Sequence, residues 1–98
     1  MIINSIDQLL IFEEVLGSKG RCKILKMLAL NNEMNISLII KQCHLSHNDV
    51  KKHLTYLDEI GFIQEKKFGR IRIYRYKDEN FRAKALKNLI QFWENDCE

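Results

Sequence analysis

The chain has 98 residues, 46% of them hydrophobic and 30% charged, which is globular composition with room for one core and none for a second domain. No uncharged apolar run approaches the roughly 18 to 20 residues of a spanning helix, and the residues before Lys19 include acids but no bases, unlike the start of a signal peptide. The expectation is a cytoplasmic protein, and a formal net charge of +3 says only that it stays soluble.

In chain order, Ser5 and Gln8 form a capping box and Gly17 a stop, predicting an N-terminal helix over 5–17. Its apolar residues Ile6, Leu9, Leu10, Ile11, Phe12, Val15 and Leu16 surround the helix, so it must be covered on both sides. Ser18 caps a second helix from Lys19 to about Leu30, with Cys22, Leu25, Leu28 and Ala29 on one face and Lys19, Lys23 and Lys26 on another; Gly20 weakens its first turn. After Asn31-Asn32 there is room for a strand of a few residues, Met34–Ile36. Ser37 opens a short helix to about Gln42, Cys43–Leu45 make a tight connection, and Ser46 caps a longer helix that reaches Ile60 and stops at Gly61.

On that longer helix Val50, His53, Leu54, Leu57 and Ile60 fall on one face, leaving Asn48, Lys51, Lys52, Thr55 and Glu59 on the other. Two β-rich runs follow, Phe62–Lys67 and Ile71–Tyr76, joined by Phe68-Gly69-Arg70. Ile71 and Ile73 lie on one side of the second run, Tyr74 and Tyr76 on the other, and both sides carry enough bulk to face inward. Asp78 caps a last helix over 78–96, whose Phe81, Ala85, Leu86, Leu89, Ile90, Phe92 and Trp93 cover about half the circumference.

The charge is uneven. Residues 46–77 carry eight Lys or Arg against four Asp or Glu, whereas 78–98 carry three against five. A local basic patch in a nearly neutral chain is the electrostatic footprint of a nucleic-acid surface.

The order helix, helix, short strand, helix, helix, hairpin, helix is that of a winged helix, an α+β fold that is mostly α. The residues resemble the ArsR-like and MarR-like winged helix-turn-helix regulators of bacteria and archaea. The resemblance covers most of the chain. It lies in the run from Gly17 through Arg21 and Leu25 to Leu28, in Leu45-Ser46 followed by Val50, His53, Leu54 and Leu57, in Gly61-Phe62-Ile63, and in the Lys66-Lys67-Phe68-Gly69-Arg70 wing. It implies a single winged-helix domain over 1–98, with an N-terminal helix over 5–17, a helix-turn-helix core over 18–77 and a C-terminal dimerisation helix over 78–96. It further implies a homodimeric, sequence-specific transcription regulator whose recognition helix, about 46–60, enters the major groove of double-stranded DNA. The wing, 66–72, would lie on the phosphate backbone.

The chemistry of the residues fits that implication. A helix fits the major groove, and its capped N-terminus presents donors to phosphate, which places Ser46, His47 and Asn48 for contacts, with Lys51, Lys52 and Thr55 beside them. Lys66, Lys67, Arg70 and Arg72 on the hairpin add affinity along the backbone that falls with salt. The apolar surplus of the terminal helices predicts a two-fold homodimer through Ile6, Leu10, Phe12, Leu86, Leu89, Ile90 and Trp93, and with it a palindromic site.

Other classes are weaker. His53 reads as a packed anchor between recognition helix and wing, and Cys22 as a small buried residue. Cys43, His44 and His47 have no second cluster to complete a metal site, and Cys97 reads as a terminal thiol, so no metal and no cofactor are expected. No glycine-rich phosphate loop, HExxH or nucleophile with a base indicates an enzyme. RNA binding would need stacking aromatics on an open sheet, for which only Tyr74 and Tyr76 are at hand. The rival from another class is a winged helix used as a protein-interaction module or small subunit of a larger assembly.

Overall fold

The computed structural model describes residues 12–95. Its elements are α1 (Phe12–Val15), α2 (Lys19–Asn31), β1 (Glu33–Asn35), α3 (Ile36–Cys43), α4 (His47–Glu59), β2 (Ile63–Phe68), β3 (Ile71–Tyr76) and α5 (Phe81–Asn95). The strands form one antiparallel sheet in the order β1-β3-β2. Ile6 and Leu10, expected on the N-terminal helix, and Cys97 lie outside the described residues.

Local chemistry sets most boundaries. The Ser18 hydroxyl accepts the Arg21 N–H at 3.2 Å to start α2, and Asn32, at φ 70°, ends it with its N–H on the Leu28 carbonyl at 2.8 Å. Ser46 does the same for α4, accepting the Asp49 N–H at 3.1 Å. The tight connection before it turns on His44 in the left-handed region, φ 60°. Phe68 pairs with Ile71, so the hairpin closes in two residues, and Gly69 takes its first central position at φ 61°, where this turn requires glycine.

Two caps differ from expectation. The cap of α3 is Asn35, whose Oδ1 accepts the Leu38 N–H at 2.8 Å, and Ser37 lies inside the helix. The cap of α5 is Asn80, whose Oδ1 accepts the Ala83 N–H at 3.0 Å while its Nδ2 donates to the Gly61 carbonyl at 3.0 Å. Asp78 is drawn away because both its carboxylate oxygens hold the Lys87 ammonium, at 3.0 and 3.1 Å.

The buried residues form one cluster. Ile24, Leu25, Leu28 and Ala29 of α2 meet Ile39 and Cys43 of α3, Val50, Leu54 and Leu57 of α4, and Phe62, Ile63, Tyr74 and Tyr76 of the hairpin. The inward side of β3 is thus the tyrosine side, with Tyr74 4% and Tyr76 2% exposed and Ile71 in solvent. The Tyr76 hydroxyl donates to the Ala83 carbonyl at 2.6 Å, joining the sheet to α5. Leu86 and Ile90 pack against the core from α5, rather than standing wholly on an outer surface. Cys22 is half-buried, its thiol donating to the Leu16 carbonyl at 3.6 Å.

Candidate nucleic-acid interface

The elements α3 and α4 and the turn between them make a helix-turn-helix, and α4 is fastened from behind. Val50, Leu54 and Leu57 sink into the core. His53 faces the start of α2, not the wing as the sequence suggested: its Nδ1 accepts from Arg21 Nε at 3.4 Å. Burial, then the Arg21 charge, lower the His53 pKa below 6.5, so the ring is neutral near pH 7 and free to accept. The Arg21 guanidinium also lies 3.8 Å from the centre of the Tyr56 ring and donates to the Glu14 carbonyl. One side chain therefore connects α1, α2 and α4. Beside it, a Cβ on Gly20 would come within 2.8 Å of Leu45 Cδ1 and 3.4 Å of His53 Nε2, so glycine lets the turn before α4 close onto α2.

The opposite face of α4 is open. Ser46, His47, Asn48, Lys51, Lys52 and Thr55 are all exposed. Asn48, Lys51, Lys52 and Thr55 line one shallow depression together, while His47 and Ser46 stand apart at the helix start. Neither lysine forms a salt bridge among the described residues. The far end of the same helix is acidic: Asp58, Glu59 and Glu65 line a second depression with Leu54, Thr55 and Tyr74, between α4 and the hairpin. Burial and the neighbouring Glu65 raise the Asp58 pKa, and the Tyr74 hydroxyl donates to Glu65 at 2.7 Å. Burial and that bond hold the Tyr74 phenol protonated far above its usual range.

Strand alternation divides the basic wing. Lys67 and Arg72 pair across the hairpin on the Tyr74 side, and Lys67 reaches Glu65 at 3.8 Å. Lys66 pairs with Ile73 on the outer side and bridges to Glu33 at 3.3 Å. Arg70 stands exposed at the turn. Arg75, part of the same positive run, is committed within the fold to Gln64 and bidentately to Glu79, whose carboxyl it pulls down to about 2. The structure thus gathers the α4 residues and spreads the wing residues over two faces and a tip. With Tyr74 and Tyr76 buried, no aromatic platform for RNA bases exists on that side of the sheet.

Two functional placements had no usable sequence signal. Arg21 is 32 residues from His53, and nothing in the local pattern links them. Lys87 is a charged residue on a charged, solvated-looking stretch of sequence, yet it is 5% exposed and lies on the buried side of α5 with Ala83, Leu86 and Ile90.

Phe12, Val15, Leu16, Phe62, Arg82, Ala85, Leu86 and Leu89 line a groove of about 370 Å³ between α1 and α5. Phe12, Leu89, Phe92 and Trp93 are exposed along it or next to it on α5.

No family model matches the chain. An HTH-type transcriptional regulator of Bacillus subtilis, YuzN, itself uncharacterised, is 30% identical over 86 residues, covering 82% of this chain and 88% of its own. Among solved structures, HlyU from Vibrio cholerae is 22% identical with a TM-score of 0.73 over 91% of both chains. An ArsR family transcriptional regulator is 24% identical, with a TM-score of 0.60 over 91% of this chain and 87% of that one. These structures establish the fold, an ArsR-like winged helix-turn-helix. With its α3–α4 pair, its hairpin and its YuzN relative, the chain belongs to the helix-turn-helix transcriptional regulators, a family of regulators and not of enzymes.

Proposed function

We propose that this regulator is a homodimer that binds double-stranded DNA sequence-specifically, with α4 in the major groove and the wing on the backbone. One observation carries the reading: Asn48, Lys51, Lys52 and Thr55 share an exposed depression on α4 that is basic toward the capped end of the helix, while beyond Thr55 the helix is acidic. Asn48 pairs adenine edges, the lysines reach guanine edges or phosphates, and each good bidentate base contact is worth about 1 to 3 kcal/mol of discrimination. The acidic end steers the helix so that its N-terminal half approaches the polyanion. Lys67, Arg70 and Arg72 then supply phosphate contacts that carry no sequence information.

The dimer reading is supported by the outward apolar residues of α5, Leu89, Phe92 and Trp93, and by Phe12 across the groove. Two copies of α4 related by a two-fold axis would read a palindromic site with half-sites about 34 Å apart.

The test is fluorescence anisotropy of a labelled random-sequence duplex of about 30 base pairs, long enough for two half-sites, at low and moderate salt. Binding should weaken by orders of magnitude as salt rises and be lost in Lys51→Ala/Lys52→Ala with the fold intact. No binding at low salt would refute the reading and favour a protein-interaction module. Light scattering should give twice 11.7 kDa; a monomer at micromolar concentration would refute the dimer.

A further inference from the structure

The end of the recognition helix and the start of α5 share one side chain. Asn80 Oδ1 caps α5 by accepting the Ala83 N–H at 3.0 Å, while its Nδ2 donates at 3.0 Å to the carbonyl of Gly61, just past the end of α4. Both ends of that bridge are themselves fixed. Gly61, at φ 82°, donates its own N–H to the Asp58 carbonyl at 3.0 Å, and the Phe62 N–H returns to the Leu57 carbonyl at 3.0 Å. The Asn80 N–H closes onto the Lys77 carbonyl at 3.0 Å, and the Lys77 N–H onto the Phe62 carbonyl at 2.9 Å. The fit is close: a Cβ on Gly61 would come within 3.3 Å of Asn80 Nδ2.

Capping α5 does not call for the bond to Gly61. Serine and aspartate cap as well as asparagine and bring no amide donor. Other polar ties of α5 run elsewhere: the Tyr76 hydroxyl joins it to β3, Lys87 to Asp78 and Asn32, and Glu94 to Lys26 of α2. The Asn80 amide carries the orientation of α5 to the end of α4. We propose that Asn80 is a positioning residue that sets the angle between these two helices, and through it the separation of half-sites the dimer accepts. This inference rests on the homodimer and DNA-binding readings. With two copies of α4 about 34 Å apart, each lies about 17 Å from the two-fold axis, so a turn of about 10° shifts it by about 3 Å, close to one base-pair step. A joint that loose would admit neighbouring separations. A donor and acceptor held at 3.0 Å between two fixed backbones resist that turn.

The test is selection of the full chain on random-sequence duplexes of about 40 base pairs, long enough for two half-sites at several separations, with the parent, Asn80→Ser and Asn80→Asp side by side. Asn80→Ser keeps the cap and removes the donor; Asn80→Asp keeps the cap and the side-chain length but turns an acceptor toward the Gly61 carbonyl. The parent should enrich inverted half-sites at one separation. Both variants should enrich the same half-site at separations spread by about one base pair to either side. Relative to the parent's preferred duplex, those neighbours should gain about fivefold for each bridge broken, the factor that one net hydrogen bond supplies. Fluorescence anisotropy on a duplex carrying a single half-site should be unchanged, because the exposed face of α4 is untouched. One sharp separation retained in both variants would overturn the proposal while the regulator reading stands. So would weakened binding to the single half-site, which would mark Asn80 as a support of the fold alone. A parent chain that enriches no sequence, or only solitary half-sites, would overturn both.

Discussion

Replacing Arg21 with Met should loosen the recognition helix without touching its exposed face. Met keeps most of the stem's packing and removes the guanidinium. Three contacts go with it: the stacking at 3.8 Å over Tyr56, the bond to the Glu14 carbonyl, and the 3.4 Å bond to His53. A partly exposed cation on an aromatic face is worth about 0.5 to 1 kcal/mol. A charged hydrogen bond adds about 1.5 kcal/mol at the exposed end of its range, and a bond as long as 3.4 Å adds little. The expected loss is about 2 kcal/mol, or close to 10 °C in Tm for a domain of this size. Thermal unfolding followed by circular dichroism measures it, and an NMR titration of the histidine ring protons supplies an independent readout. Without Arg21 the His53 pKa should rise, yet stay below 6.5 because burial is the larger cause of its depression. A variant with unchanged Tm and an unchanged His53 titration would refute the view that Arg21 fastens α4.

Three further outcomes follow from the geometry. Because the fold depresses His53, the unfolded chain binds a proton that the native chain refuses; the stabilisation is present above about pH 6.5 and is lost as pH falls through the lower native value, so urea midpoints should drop between those limits and His53→Gln should flatten the drop. Tyr76→Phe should cost about 1 to 1.5 kcal/mol in urea unfolding by removing the buried 2.6 Å bond to Ala83, and equal stability would show that the bond contributes nothing. Ser46→Ala should cost about 1 kcal/mol through the lost cap of α4, with Ser46→Asn recovering most of it.

What could be seen in the sequence was what local chemistry decides. Ser18, Ser46 and Gly61 mark their helix ends without help from the rest of the chain, and the Val50, Leu54, Leu57 stripe needs only the helical period. Where two residues can do the same local job, tertiary contacts choose. Asn35 and Ser37 can both cap α3; Asp78 and Asn80 can both cap α5, until Lys87 takes the carboxylate and Gly61 takes the amide. The inward side of β3 is ambiguous in the sequence because isoleucine and tyrosine both bury well; what distinguishes them is tertiary, the Ala83 carbonyl that accepts from the Tyr76 hydroxyl and the Glu65 carboxylate that accepts from Tyr74. The site shows the same division. Asn48, Lys51, Lys52 and Thr55 share a face by period alone, whereas consecutive Lys66 and Lys67 part to opposite faces of a strand and meet different acids. The partner of His53 was misplaced because nothing in the recognition helix announces an arginine from α2.

The Lys87 ammonium, held by Asp78 and Asn32 inside an otherwise apolar helix flank, has a mechanical consequence. Apolar side chains encircle so much of α5 that oiliness alone would let it roll about its long axis and bury either stripe. A cation that must reach the oxygens of both Asp78 and Asn32 acts as a detent against that roll, a use of buried charge to select one arrangement among several of similar hydrophobic merit. The stripe of Phe81, Ala85, Leu89 and Trp93 is turned outward because Lys87 is turned in. A Lys87→Leu chain should keep its helix content while Trp93 fluorescence broadens into several environments, the mark of a cylinder that has lost its keyway.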